Sequence, residues 1–167
     1  MNKLEQFNNI RAFIFDVDGV LTTGELLLTE KGEMLRRMNT RDGYAMKQAI
    51  EEGYEFAIIT GGSSKGVTDR LKALGIVHVY TRAHPKIDAY KELIEIWDVE
   101  EDDILYMGDD VPDVEVMMKV GLPTCPADAA SEVMQVAKYV SPKTGGKGCV
   151  RDVIEKVLRV QGNWKEK

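Results

Sequence analysis

Ala12-Phe13-Ile14-Phe15-Asp16-Val17-Asp18-Gly19-Val20-Leu21-Thr22 is the stretch that decides the fold. Its first four residues are uniformly apolar, the pattern of a strand buried on both faces of a parallel sheet. Two carboxylates follow at alternate positions, and a glycine then ends the run. Strand alternation puts Asp16 and Asp18 on the same side at the strand's carboxyl end. In an open parallel sheet that end is where ligands bind. Two crowded acids repel each other unless a cation lies between them. Hard oxygen donors favour Mg²⁺ in that place. A plain turn is the alternative, since Asp and Gly are common turn residues. A calcium-binding EF-hand loop fails on two counts: Val20 occupies its fifth position and Leu27 stands where its closing glutamate belongs.

Composition narrows the class. A chain of 167 residues, 44% apolar and 30% charged, is expected to form one soluble domain over residues 1–167. The net charge of −6 argues against nucleic acid as a partner. No apolar run approaches the roughly 18 residues of a membrane span, and no secretory signal pattern is apparent, so a cytoplasmic protein is expected. Two cysteines, Cys125 and Cys149, make no disulfide framework. His78 and His84 are too few for a histidine-rich metal site.

Strand and helix patterns alternate along the rest of the chain. Apolar runs at Phe56–Ile59, Val77–Tyr80, Ile104–Met107 and Leu122–Cys125 read as strands, with Tyr139-Val140 as a short edge strand. Tyr44–Glu52, Lys65–Leu74, Lys86–Trp97, Asp113–Val120 and Val150–Val160 have helical periodicity. Gly53, Gly75 and Gly121 follow three of these as helix stops. The order predicts an α/β fold: a Rossmann-like parallel sheet with helices on both faces. One segment breaks the rhythm. Leu26–Thr29, Glu30-Lys31-Gly32 and Met34–Met38 read as a β-hairpin inserted after the first strand, over about residues 24–38. Its first arm is apolar on both faces, which a lone hairpin cannot bury. Either it folds back on its own domain or it pairs with other subunits, and pairing with other subunits is the favoured expectation. A glycine-rich tail begins near residue 141, and Asn163–Lys167 is expected to fray.

Three further strand ends carry candidate chemistry. Thr60-Gly61-Gly62-Ser63-Ser64 follows the second core strand and offers a hydroxyl and free N–H groups to phosphate oxygens. A simple helix-capping loop reads equally well there. Lys86 opens a helix after His84-Pro85, where an ammonium would reach a bound phosphate. Gly108-Asp109-Asp110-Val111-Pro112-Asp113 clusters three acids. Asp109 can complete a metal site, whereas Asp110 and Asp113 read as groups that support the ligands or cap a helix.

Taken in order, strand-Asp-x-Asp-Gly, strand-Thr-Gly, Lys and strand-Gly-Asp-Asp-x-x-Asp resemble the haloacid dehalogenase superfamily of Mg²⁺-dependent phosphatases, across the whole chain. The resemblance implies that Asp16 is the nucleophile and that Asp18 protonates the leaving group and then activates water. It implies phosphate contacts from Thr60, Gly61 and Lys86, with Mg²⁺ held by Asp16, the Asp18 carbonyl and Asp109. There is no domain-sized insertion, so no cap domain is expected.

A closer likeness rests on Asn39-Thr40-Arg41-Asp42-Gly43-Tyr44, Asp69-Arg70 and Gly145-Gly146-Lys147-Gly148. These resemble the 3-deoxy-D-manno-octulosonate 8-phosphate phosphatases of lipopolysaccharide sugar biosynthesis. That likeness implies a homotetramer built around the hairpins and a carboxylate contact from Arg70. It further implies that Asn39, Thr40, Arg41, Asp42, Gly43 and Lys47 line the substrate site and that the glycine-rich tail packs over an adjacent subunit's site. The chain departs from the pattern at Gly62, where some of these phosphatases carry arginine. A sister group acting on nine-carbon sialic-type 9-phosphates typically has glutamate at the Gly62 position and lysine at the Ala73 position, and this chain has neither. A signalling receiver domain fits poorly, because receivers place adjacent acids after the first strand. A non-catalytic scaffold would have no need of Asp16, Asp18, Thr60, Lys86 and Asp109 together.

Overall fold

The structure is a computed structural model and describes residues 4–166. Strands β1 (Ala12–Phe15), β4 (Glu55–Ile59), β5 (His78–Tyr80), β6 (Ile104–Met107), β7 (Leu122–Cys125) and β8 (Tyr139–Val140) form one sheet in the order β5-β4-β1-β6-β7-β8. Every pairing in it is parallel. Strand β1 lies between β4 and β6, with Phe15 opposite Ile58 on one side and Met107 on the other. The uniformly apolar run therefore sits where both neighbours and both faces exclude water.

Alternation along β1 divides the interior in two. Phe13 and Phe15 face a core shared with α1 (Thr40–Glu51), α2 (Lys65–Ala73) and α6 (Cys149–Val160), through residues such as Met46, Leu71 and Ile154. Ala12 and Ile14 face a second core with α3 (Lys86–Ile96), the one-turn α4 (Val114–Met117) and α5 (Ser131–Val136). The expected three-layer α/β architecture is observed.

Several boundaries differ from expectation. Helix α1 starts at Thr40 rather than Tyr44, because Asn39 Oδ1 accepts the Arg41 N–H at 2.8 Å and caps it. The helix expected over Asp113–Val120 is a 3-10 turn, Val111–Asp113, running into the single turn of α4. Asp110 and Asp113 form a capping box around that turn. Gly121 does not stop a helix by left-handed geometry. Its N–H instead donates to Glu101 O at 2.8 Å. Helix α5 was not anticipated. The C-terminal segment is docked rather than frayed: Gln48 Oε1 accepts the Lys165 N–H at 2.9 Å, and Gln48 Nε2 donates to Lys165 O at 3.0 Å. Lys167 lies outside the described residues.

The hairpin consists of β2 (Leu27–Leu28) and β3 (Met34–Leu35), paired antiparallel and separate from the main sheet. Leu27 and Leu28 are each 65% exposed, and Leu26, Met34 and Leu35 are also exposed. No helix among the described residues is long and apolar enough to cross a membrane.

Candidate active site

Asp16 is the first residue beyond β1. Its N–H extends the ladder to Met107 O at 3.1 Å, and its Oδ1 accepts the Val17 N–H at 2.7 Å. The carboxylate is thereby aimed from the sheet's carboxyl edge and is buried. The chain then turns at Gly19, whose φ is +85°. A Cβ built there would lie 1.8 Å from Asp109 Oδ2, so only glycine lets the loops after β1 and β6 close on each other.

Lys86, the first residue of α3, enters this space from the second core. Its Nζ is 3.1 Å from Asp16 Oδ2 and 2.7 Å from Asp113 Oδ1. Asp113 Oδ1 also accepts the Tyr106 hydroxyl at 2.6 Å, and Asp113 Oδ2 accepts the N–H groups of Asp109 and Asp110 at 3.0 and 3.3 Å. Thr60 lies buried at the end of β4, where its Oγ1 accepts the Gly62 N–H at 3.1 Å. A cleft of about 270 Å³ opens over these groups, lined by Asp16, Asp18, Thr60, Lys86, Asp109 and Asp113, with His84 at its edge.

The charge balance of the cleft decides what it can hold. Burial, reinforced by the Asp113 carboxylate, pushes Asp16 well above the usual carboxylate range. The same two causes raise Asp109 to about 6. Burial alone would lower the Lys86 ammonium, but Asp16 and Asp113 outweigh it and raise it. One ammonium thus faces more carboxylate charge than it can neutralise, and the cleft favours a further cation. Asp16, Asp109 and Asp113 each offer an oxygen within 4.8 Å of the others. Asp113 is the poorest direct ligand of the three, because four donors already occupy its oxygens. It instead fixes Lys86 and the Asp109 backbone. Asp16 and Asp109, two hard and incompletely neutralised oxygen donors, fit a divalent ion such as Mg²⁺.

Asp18 also lines the cleft, half-buried, and its carboxylate is paired with Arg36 from the foot of the hairpin. Asp110 caps the following turn by accepting the Val111 N–H at 2.8 Å. The expected catalytic, metal and phosphate residues are therefore brought together.

The expected substrate residues are not. Asn39 caps α1 and places its Nδ2 3.4 Å from Gly146 O. Thr40, Arg41, Lys47 and Arg70 are exposed on α1 and α2, and none of them lines the cleft. Asp42 is 1% exposed, with Oδ1 accepting the Arg151 N–H at 2.9 Å, so it caps the first turn of α6. Gly43 is also buried, and a Cβ there would lie 2.9 Å from Arg70 Nη2. The glycine-rich tail makes contacts within its own chain. Gly146 N–H donates to Val20 O at 3.0 Å, and Cys149 Sγ lies 3.2 Å from the same oxygen. The tail therefore braces this chain's own Asp-x-Asp-Gly loop. Arg36, Tyr106 and His84 were missed. Tyr106 reads as an ordinary apolar strand residue, and nothing local marks Arg36 as a partner of Asp18.

The haloacid dehalogenase-like hydrolase family matches residues 74–154. The 3-deoxy-D-manno-octulosonate 8-phosphate phosphatase KdsC of Salmonella typhi is 42% identical over 158 residues, which cover 95% of this chain and 84% of that protein. The chain belongs to this phosphatase family. The structure of the Yersinia pestis phosphatase superposes with a TM-score of 0.94 at 37% identity, over 97% of this chain and 88% of that one. A Moraxella catarrhalis phosphatase, solved in complex with magnesium ion, phosphate ion and KDO, superposes with a TM-score of 0.92 at 32% identity, over 96% and 92% of the two chains.

Proposed function

We propose that this chain hydrolyses 3-deoxy-D-manno-octulosonate 8-phosphate to the free sugar acid and phosphate. The observation that carries the reading is the convergence of Asp16, Lys86 and Asp109 in one buried crevice of a chain belonging to this family. Asp16 attacks phosphorus, and an Asp16 oxygen–phosphorus bond forms as the bond to the sugar oxygen breaks. Asp18 gives its proton to that departing oxygen. It then takes a proton from the water that cleaves the aspartyl-phosphate. Lys86 and the Thr60-Gly61 loop hold the transferring phosphoryl oxygens, and Asp113 with Tyr106 keeps Lys86 aimed at them. Asp16, the Asp18 carbonyl and Asp109 would hold Mg²⁺. The bound ion supplies positive charge that offsets repulsion between phosphate and carboxylates.

Substrate selection is assigned to a neighbouring subunit. The exposed Leu26–Leu28, Met34 and Leu35 support assembly through the hairpin, and a homotetramer is the form we infer. Asn39, Thr40, Arg41, Lys47 and Arg70 are exposed or half-buried, which supports a reading in which they serve a neighbouring subunit's site and Arg70 pairs with the sugar-acid carboxylate. Asp42 and Gly43 support that surface from beneath. Two buried free thiols, Cys125 and Cys149, fit a reducing cytoplasm.

The test is kcat/KM for eight-carbon 8-phosphate against nine-carbon 9-phosphate sugar acids, with Mg²⁺ present. Preference for the eight-carbon acid by at least about tenfold is expected. The reverse preference would reassign the enzyme to the nine-carbon substrate.

A further inference from the structure

Arg36 follows β3 directly and turns back toward its own chain's cleft. Its side chain is only 7% exposed, although it springs from an exposed hairpin. Nε donates to Asp18 Oδ1 at 2.8 Å, and Nη2 to Asp18 Oδ2 at 3.3 Å. Nη1 donates to Met34 O at 3.1 Å, which ties the guanidinium to its own strand. This is the fork geometry that fixes a carboxylate in both position and plane.

Room for the fork comes from the loop after β4. A Cβ built on Gly62 would lie 3.3 Å from Arg36 Nη2 and 3.2 Å from Asp18 Oδ2. A larger residue there would press on both partners. Asp18 itself stands on a turn beyond the end of β1. Lys86, the ammonium that lines the cleft, is engaged by Asp16 and Asp113.

We propose that Arg36 is the positioning residue of Asp18: its guanidinium fixes the orientation of the Asp18 side chain beside the cleft and couples that orientation to the hairpin. The proposal rests on Asp18 being the proton-transfer group. Arg36 touches no reacting atom and acts only through Asp18. The hairpin then has two faces, leucines turned outward for assembly and an arginine turned inward to the chemistry.

The test compares two substrates by kcat/KM, which reports steps up to formation of the aspartyl-phosphate. A sugar-acid phosphate needs a proton on its leaving oxygen, whereas 2,4-dinitrophenyl phosphate does not. Arg36→Ala is expected to lower kcat/KM by about 10- to 100-fold on the sugar-acid phosphate. On the dinitrophenyl ester the loss should stay below about threefold. Arg36→Lys keeps the charge but not the fork, and is expected to show a smaller loss with the same substrate split. In an Asp18→Asn background, Arg36→Ala should add less than about twofold.

Equal losses on both substrates, or full additivity with Asp18→Asn, would overturn the proposal. If Arg36→Ala does not assemble, as judged by light scattering, Arg36→Lys decides: a wild-type substrate ratio in that variant also overturns it. Asp18→Asn tests the underlying reading separately. Equal loss on both substrates from Asp18→Asn alone would remove the proton-transfer role, and the positioning role with it. A split for Asp18→Asn without one for the Arg36 variants would leave the mechanism standing and sink Arg36 alone.

Discussion

The crevice at the ends of β1 and β6 and the hairpin of β2 and β3 are near neighbours in sequence with opposite construction. In the crevice, charged groups are buried and interlocked. Lys86 bridges Asp16 and Asp113, and Asp113 spends both oxygens on four donors. On the hairpin, two-residue strands carry leucines that join neither core among the described residues. The crevice gathers its charged groups within one chain, whereas the hairpin leaves its apolar side chains exposed. Under the proposed function reaction and selectivity are separable, and Arg36, which pairs with Asp18 from the foot of the hairpin, is the proposed link between them.

The sharpest way to break the crevice half is Lys86→Met. Removing the ammonium leaves two buried carboxylates without their counter-charge. Unfolding free energy in denaturant should fall by about 3–5 kcal/mol, and phosphate release by at least about 10³-fold. A variant that remained as active and as stable as the parent would show that the crevice does not depend on this bridge.

The hairpin half is tested by Leu27→Glu with Leu28→Glu. Light scattering should show the assembly falling to monomer. Unfolding stability of the isolated chain should stay within about 0.5 kcal/mol, because the replaced side chains are exposed. Turnover of a small aryl phosphate should persist while sugar-acid phosphate turnover drops. Loss of both activities together would erase the separation.

A smaller effect probes the border between the two regions. Asp42 lies at the start of α1 and caps α6. Burial raises its carboxyl from 3.8 to about 6, and Oδ2 has no partner among the described residues. A folded-state pKa above the unfolded one means that the native state holds the proton longer. Stability is therefore greatest below about pH 4 for this group and is lost as pH rises through 6, by about 3 kcal/mol. Asp42→Asn should raise stability at pH 8 and show no gain at pH 4. Thermal melts of both proteins across that range provide the check, and a pH-independent difference would refute the cause.

Much of this was legible in the residues themselves. Ala12–Phe15, Phe56–Ile59 and Ile104–Met107 are apolar runs that end in carboxylate, hydroxyl or glycine, and that contrast marks both the buried strand and its functional end. The apolar pairs Leu27-Leu28 and Met34-Leu35 on either side of Gly32 likewise mark a hairpin. Helix α5 escaped because its six residues bury only Val133 and give almost no periodic signal. The expected helix at Asp113 shrank to one turn because Asp110 and Asp113 spend their side chains on capping. Asp42 and Arg36 could not be read locally. Their partners, Arg151 and Asp18, lie 109 and 18 residues away, and an isolated Asp or Arg looks the same whether it caps, pairs or binds.

The central claim is that Asp16 is the nucleophile. Asp16→Asn keeps the shape of the side chain and removes its charge, so the fold and the assembly should survive. Mg²⁺-dependent phosphate release from 3-deoxy-D-manno-octulosonate 8-phosphate by that variant is the direct measurement. A fall of at least about 10³-fold is predicted. Release within tenfold of the parent, from a folded and assembled protein, would contradict the account.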